Sequence, residues 1–341
     1  MKKRLFAVVA IDLSLIASVL SVTTPLAFAA TTTPTPTNTG QALEIAPPLI
    51  TLTANPGQAV KAQIKLRDIA SGKLLVTNQI NDFVANGEDG TPKILTTNDD
   101  NNPYSLRGWI VPLPSFLISP KQIQTLTLII NVPKNASPGG HYGVIRFTGT
   151  APELQGSGVS LSASIGALVL LTVNGKLTHN LSVADFTVGK DGKVGHLFES
   201  GPLDFTVRLK NSGNIQELPT GHIVVSDTFG KIVAGVNINV PPRNILPGSI
   251  RKFSGALDSS VIGNRHLFGH YHAKLTLTYS NKQTASAELA FWVIPYRLIG
   301  IVLIAIIGGF FALRWLIRRY NQSIIRRAQS GTTVSRKSKK K

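Results

Sequence analysis

Val60-Lys61-Ala62-Gln63-Ile64-Lys65-Leu66-Arg67 alternates apolar and polar side chains without a break. In an extended chain successive side chains point to opposite faces, so this octet makes a half-buried strand with one dry and one wet side. The same period places Leu126, Leu128, Ile130 and Val132 on one face. It returns at Leu203-Asp204-Phe205-Thr206-Val207-Arg208-Leu209-Lys210 and at Leu275, Leu277 and Tyr279. Turn-forming clusters separate the strands: Asn55-Pro56-Gly57, Asp89-Gly90, Pro138-Gly139-Gly140, Asp191-Gly192, Ser212-Gly213-Asn214 and Pro247-Gly248. No amphipathic helical run interrupts them. Many short strands at roughly 8–12-residue spacing predict an all-β protein built of sandwiches.

An Ig-like sandwich takes about 100 residues, so the strand-rich region accommodates two in tandem. A loose internal repeat agrees. Ser119-Pro120, an alternating strand, Val132-Pro133 and then Gly140-His141-Tyr142 in the first half are matched by Leu246-Pro247-Gly248, a strand over 251–257 and Gly269-His270-Tyr271 in the second. Each half also opens on an alternating strand. The boundary falls near Gly175, after the apolar strand Ile165 to Val173, giving one sandwich over 43–175 and another over 176–296.

Beyond them lies Leu298 to Ile317, LIGIVLIAIIGGFFALRWLI, with Arg314 as its single charge. A helix of this length spans roughly 30 Å, the thickness of a bilayer core. Phe291, Trp292 and Tyr296 before it and Trp315 and Tyr320 after it are placed as an aromatic belt. From Arg314 the tail carries ten basic residues, among them Arg318 and Arg319, and no acidic one. The positive-inside rule makes that end (318–341) cytoplasmic and the sandwiches extracellular, in a single-pass protein of the cell membrane. At the other end Lys2-Lys3-Arg4, an apolar run over 5–22 and Ala27-Phe28-Ala29 read as a signal peptide (1–29), cleaved between Ala29 and Ala30. Asp12 inside the apolar run keeps a retained anchor open as the alternative. A Thr/Pro-rich extended leader follows, over 30–42.

The net charge of +18 is concentrated in the tail, ten of the eighteen arising after Leu313. Such a tail is read as topology and attraction to anionic lipid, and no nucleic-acid signature accompanies it. The chain has no cysteine, which excludes disulfides, thiol catalysis and Cys-containing zinc sites.

One series in the first half carries a family resemblance. It runs Arg107-Gly108-Trp109-Ile110, Phe116-Leu117-Ile118-Ser119-Pro120, Asn131-Val132-Pro133 and Ala136-Ser137-Pro138-Gly139-Gly140-His141-Tyr142-Gly143-Val144-Ile145. It resembles the N-terminal, peptidoglycan-binding domain of the WxL-interacting surface proteins of Gram-positive bacteria. The second half, with Leu246-Pro247-Gly248-Ser249 and Phe268-Gly269-His270-Tyr271, is similar to their second domain. The order of signal, two Ig-like domains, one span and a basic tail is also theirs. The resemblance implies a membrane-anchored binding protein that engages cell-wall peptidoglycan, a surface protein partner, or both. The alternative is a structural spacer or a chaperone-like scaffold that offers an edge strand to a secreted client.

Trp109, Phe116 and Tyr142 are the candidate ligand-binding residues, as a platform on which a sugar could stack. Sandwich core is the other reading of the same three. His270 and His272 share a strand face and, with His266, suggest a metal site, but no third ligand is evident. Asn98-Asp99-Asp100-Asn101-Asn102 is oxygen-rich but lacks the spacing of a calcium loop, and reads as a solvated turn. Leu218-Pro219-Thr220-Gly221 lacks the variable residue of a sortase signal. No catalytic motif appears, so neither an enzyme nor a cofactor is expected.

Overall fold

A computed structural model describes residues 43–96, 102–150, 163–263, 266–280 and 282–332. The signal segment with Ala29 and Ala30, the Thr/Pro-rich leader, most of the Asn98–Asn102 loop and the end of the basic tail lie outside the described residues.

The first sandwich comprises β1 (Leu43–Ala46), β2 (Leu49–Ala54), β3 (Ala59–Asp68), β4 (Leu74–Asn86), β5 (Thr91–Leu95), a 3-10 turn (Arg107–Trp109), β6 (Phe116–Ile118), β7 (Ile123–Asn131), β8 (Gly139–Thr150) and β9 (Ala163–Val173). One sheet runs β1-β3-β7; the other runs β2-β9-β8-β4-β5, with β6 beside β4. The alternation of the opening octet is spent as expected: in β3, Ile64 and Leu66 are fully buried while Lys61, Gln63, Lys65 and Arg67 face solvent. β7 adds Leu126, Leu128 and Ile130, and Ile145, Phe147, Ala167, Val169 and Leu171 meet them from the opposite sheet.

The second sandwich comprises β10 (Leu181–Lys190), β11 (Lys193–Val194), β12 (Leu197–Phe198), β13 (Leu203–Asn211), β14 (Thr220–Asp227), β15 (Ile232–Ile238), β16 (Ile250–Leu257), the one-turn helix α1 (Ser259–Ile262), β17 (Gly269–Tyr279) and β18 (Gln283–Val293). Its sheets run β11-β10-β13-β16 and β12-β18-β17-β14-β15. Leu203, Phe205, Val207 and Leu209 of β13 point inward against Ile223, Leu275, Leu277 and Phe291. Phe291 is therefore core, not part of an aromatic belt. It meets Phe205 and Phe198 edge-on with centroids 6.1 and 6.3 Å apart, while its neighbour Trp292 is turned by the strand period to the wet face.

The long helix α2 (Tyr296–Thr332) begins directly after β18. It is long and apolar enough to cross a membrane, and none of its apolar side chains from Leu298 to Ile317 is buried in the fold. The helix continues through Arg318 and Arg319 into the segment expected to be a tail. Arg319 lies over the Trp315 ring, 5.1 Å from its centroid.

Candidate functional site

Edge strands leave backbone groups unpaired, so each sheet end of the first sandwich is a place where another chain can add. β5 carries Pro92 and Lys93, residues that blunt an edge. β2 packs beside β3 near the turn that joins them. β7 differs. It reads Ile-Gln-Thr-Leu-Thr-Leu-Ile-Ile-Asn, with no charge, no proline and no bulge.

The direction of its open groups follows from two hydrogen bonds. The Gln122 carbonyl accepts from Asp68 N–H, toward β3, and the Ile129 carbonyl accepts from Val111 N–H on the far side. Backbone groups alternate sides along a strand. Ile123, Thr125 and Thr127 therefore aim their N–H and C=O groups away from β3. Among the described residues no strand pairs with them, and backbone contacts to that side of β7 come only from Ile110 and Val111. Ile123 is 58% exposed. Across the β3–β7 ladder Arg67 faces Ile123, Lys65 faces Thr125 and Gln63 faces Thr127. Arg67 is ion-paired with Glu44 of β1, so among the described residues the free cations bordering the open edge are Lys65 and, opposite Ile129, Lys61.

The expected aromatic platform does not form. Tyr142 is buried, 2% exposed, between the sandwiches. Its ring packs near Phe83 and Tyr104, and its hydroxyl donates to Gln216 Oε1 at 2.9 Å. Burial pushes its phenol pKa well above the ordinary value. Trp109 sits in the 3-10 turn, half-buried against the first core and 4.3 Å from the His141 ring. Phe116 lies on the short β6 and packs on the same core. Tyr142 serves packing, while Trp109 and Phe116 lean on the core with part of each ring still open to solvent.

Tyr142 instead marks a built junction. Leu246 of the second sandwich packs onto Phe83, Tyr142, Val144 and Leu170 of the first. Gly140 N–H donates to the Asn214 carbonyl at 2.8 Å, and Lys252 N–H to that of Glu88 at 2.7 Å. Arg208 bridges Glu88 and Asp185, each at 2.7 Å, and the bond to Glu88 holds its guanidinium pKa above the ordinary value. Two glycines make room at the junction. At Gly90 (φ +74) a Cβ would collide with the Arg251 guanidinium, and at Gly139 (φ +132) it would lie 2.5 Å from the Asn214 carbonyl oxygen. A cleft of about 250 Å³ opens beside the junction, lined by Leu49, Leu168, Leu170, Pro242 and Arg243 among others.

His270 and His272 do come together, with ring centroids 4.6 Å apart, and His270 lies equally close to Trp292. No group of three metal-ligating side chains exists among the described residues.

No protein-family model and no curated protein matches the sequence. Solved structures do. The YadV chaperone is 14% identical, with 73% of this chain and 99% of that one covered and a TM-score of 0.34. The class 5 fimbriae chaperone CfaA is 12% identical over 73% and 99%, with a TM-score of 0.37. The E. coli chaperone DraB is 12% identical over 74% and 98%, with a TM-score of 0.34.

Proposed function

We propose that the protein is a membrane-anchored scaffold whose first sandwich takes up an extended segment of a secreted or surface protein by strand addition along β7. The observation that carries this is the outward row of backbone groups at Ile123, Thr125 and Thr127, on a stretch of strand with no charge, proline or bulge of its own. In strand addition the main chain supplies affinity and alternate side chains supply specificity. An added strand would lie about 4.8 Å beyond β7 and about 10 Å from Lys61 and Lys65. That is about one Debye length at 0.1 M salt, so neutral or acidic residues are favoured at its outward positions. The order of segments is that of the WxL-interacting surface proteins the sequence resembles, and membership of that family belongs to the proposal. Wall binding has no comparable support, since Tyr142 is buried and the three aromatics form no common platform.

Thr125→Pro tests the site. The Thr125 N–H points away from β3, so proline removes a donor that the fold leaves unused, in an edge position that tolerates it. Secreted proteins captured by the full chain should be lost from the variant, with its thermal unfolding little changed. Capture of the same proteins by both forms would end the strand-addition reading; sedimentation of both with purified peptidoglycan would favour the wall instead.

The charge of the tail supports an orientation with the sandwiches outside the cell. Protease added to intact cells should therefore remove them and leave a protected fragment beginning near Tyr296. Survival of intact protein would reverse the orientation.

A further inference from the structure

The end of the second sandwich from which α2 departs is unusually apolar for a solvated surface. Phe229 is 94% exposed and Phe268 67%, and Leu197 and Trp292 are also exposed. The strand registers bring them to one level. Asp227, just before Phe229, pairs with Tyr271. Gly269, just after Phe268, pairs with Val293, and Leu197 pairs with Trp292. Val293 is the last residue of β18, and α2 starts at Tyr296.

No linker separates this surface from the helix. Ile294 N–H donates to the Phe198 carbonyl at 2.7 Å, and Arg297 lies 3.4 Å from Glu199. Pro295 and Leu298 line one cavity together with Gly201, Pro202, Leu267 and Phe268. The first turn of the helix is thus fastened to the loops that carry the exposed aromatics. If α2 enters a bilayer at Tyr296, those loops must lie at head-group depth. Aromatic side chains with Lys231 beside Phe229 suit that zone, where ring faces meet acyl chains and cations meet phosphate.

We infer that this end of the second sandwich is a lipid-docking surface: Phe229, Phe268, Leu197 and Trp292 insert into the interface of the same bilayer that α2 crosses, so the sandwich is seated on the membrane and does not swing from it. The inference rests on reading α2 as a membrane span. The occupant is the lipid because the helix brings the patch there through fewer residues than could form a tether.

The absence of native cysteine makes the test clean. Single variants Phe229→Cys, Phe268→Cys, Ile304→Cys and Lys282→Cys of the full chain would be spin-labelled and reconstituted in vesicles of phosphatidylcholine with phosphatidylglycerol. Accessibility to oxygen and to a water-soluble nickel chelate reports depth. Labels at 229 and 268 should favour oxygen over nickel several-fold relative to Lys282→Cys, which lies in the turn at the opposite end of β17 and β18. An aqueous ratio at 229 and 268 with a lipid ratio at 304 overturns the docking surface and leaves the span standing. An aqueous ratio at 304 overturns both. Dipolar broadening at 229 or 268 that vanishes on dilution with unlabelled protein assigns the patch to a second copy and also overturns the inference.

Discussion

Tyr142→Ala should destabilise the protein by about 3–5 kcal/mol, the range for removing a buried aromatic ring, and should loosen the two sandwiches from each other. The ring is 2% exposed and fills the space between Phe83, Val144 and Leu170 of the first sandwich and Leu246 of the second. Its hydroxyl is the donor to Gln216 Oε1, and Gln216 in turn donates to Thr172 Oγ1 at 3.2 Å. Alanine removes the apolar filling and the cross-domain bond together. Tyr142→Phe keeps the filling and should cost only about 1 kcal/mol, the net worth of one hydrogen bond. Denaturant unfolding of the detergent-solubilised chain measures both. Limited proteolysis between Val173 and Leu181 reports the loosening, since that connection is flanked by the bonds from Gly140 and Asn214. Equal costs for the two substitutions would show that the ring does not hold the junction.

The all-β fold and its tandem sandwiches were legible because two-residue alternation is a local property. The octet Val60–Arg67 and the run Leu203–Lys210 each fall inside one strand, β3 and β13, with their apolar members buried or, at Val60 and Ala62, half-buried. The apolar helix after residue 295 was equally plain. What covers a face, or leaves an edge bare, is not local. Tyr142 reads as the start of a strand in Gly-His-Tyr, yet its partner Gln216 is 74 positions away. A signal was present in Ala167-Leu168-Val169-Leu170-Leu171. A strand apolar on both faces is covered on both: Ala167, Val169 and Leu171 face the first core, and Leu168 and Leu170 face the junction. The open edge of β7 depends on residues 102–115, the described part of the segment before β6, pairing with it only near Ile110. Pro112 and Pro114, just after the contact at Val111, are the only sequence hint of that. Phe291 was misplaced because it adjoins Trp292 in sequence while the strand sends the two to opposite faces.

His179→Ala should cost the second sandwich about 3–5 kcal/mol, as expected when a buried charge loses its partner. The Glu217 side chain has no exposed surface, and its Oε1 meets His179 Nδ1 at 2.7 Å. Its other oxygen, Oε2, has no partner among the described residues. The carboxylate cannot swing out to water. Glu217 and Ile245 exchange both backbone hydrogen bonds, and Asn211 Nδ2 donates to the carbonyls of Ile215 and Ile245. Removing the imidazole therefore strands an anion in place. Replacing that anion by a neutral amide removes most of the penalty, because the cost lies in the unpaired charge and not in the lost ring contacts. The double variant His179→Ala/Glu217→Gln should accordingly regain more than half of the stability lost by His179→Ala alone. Denaturant midpoints for the wild type, both single variants and the double variant give the coupling. A double variant no more stable than His179→Ala would show that the imidazole acts through packing, and that the carboxylate is not what it holds.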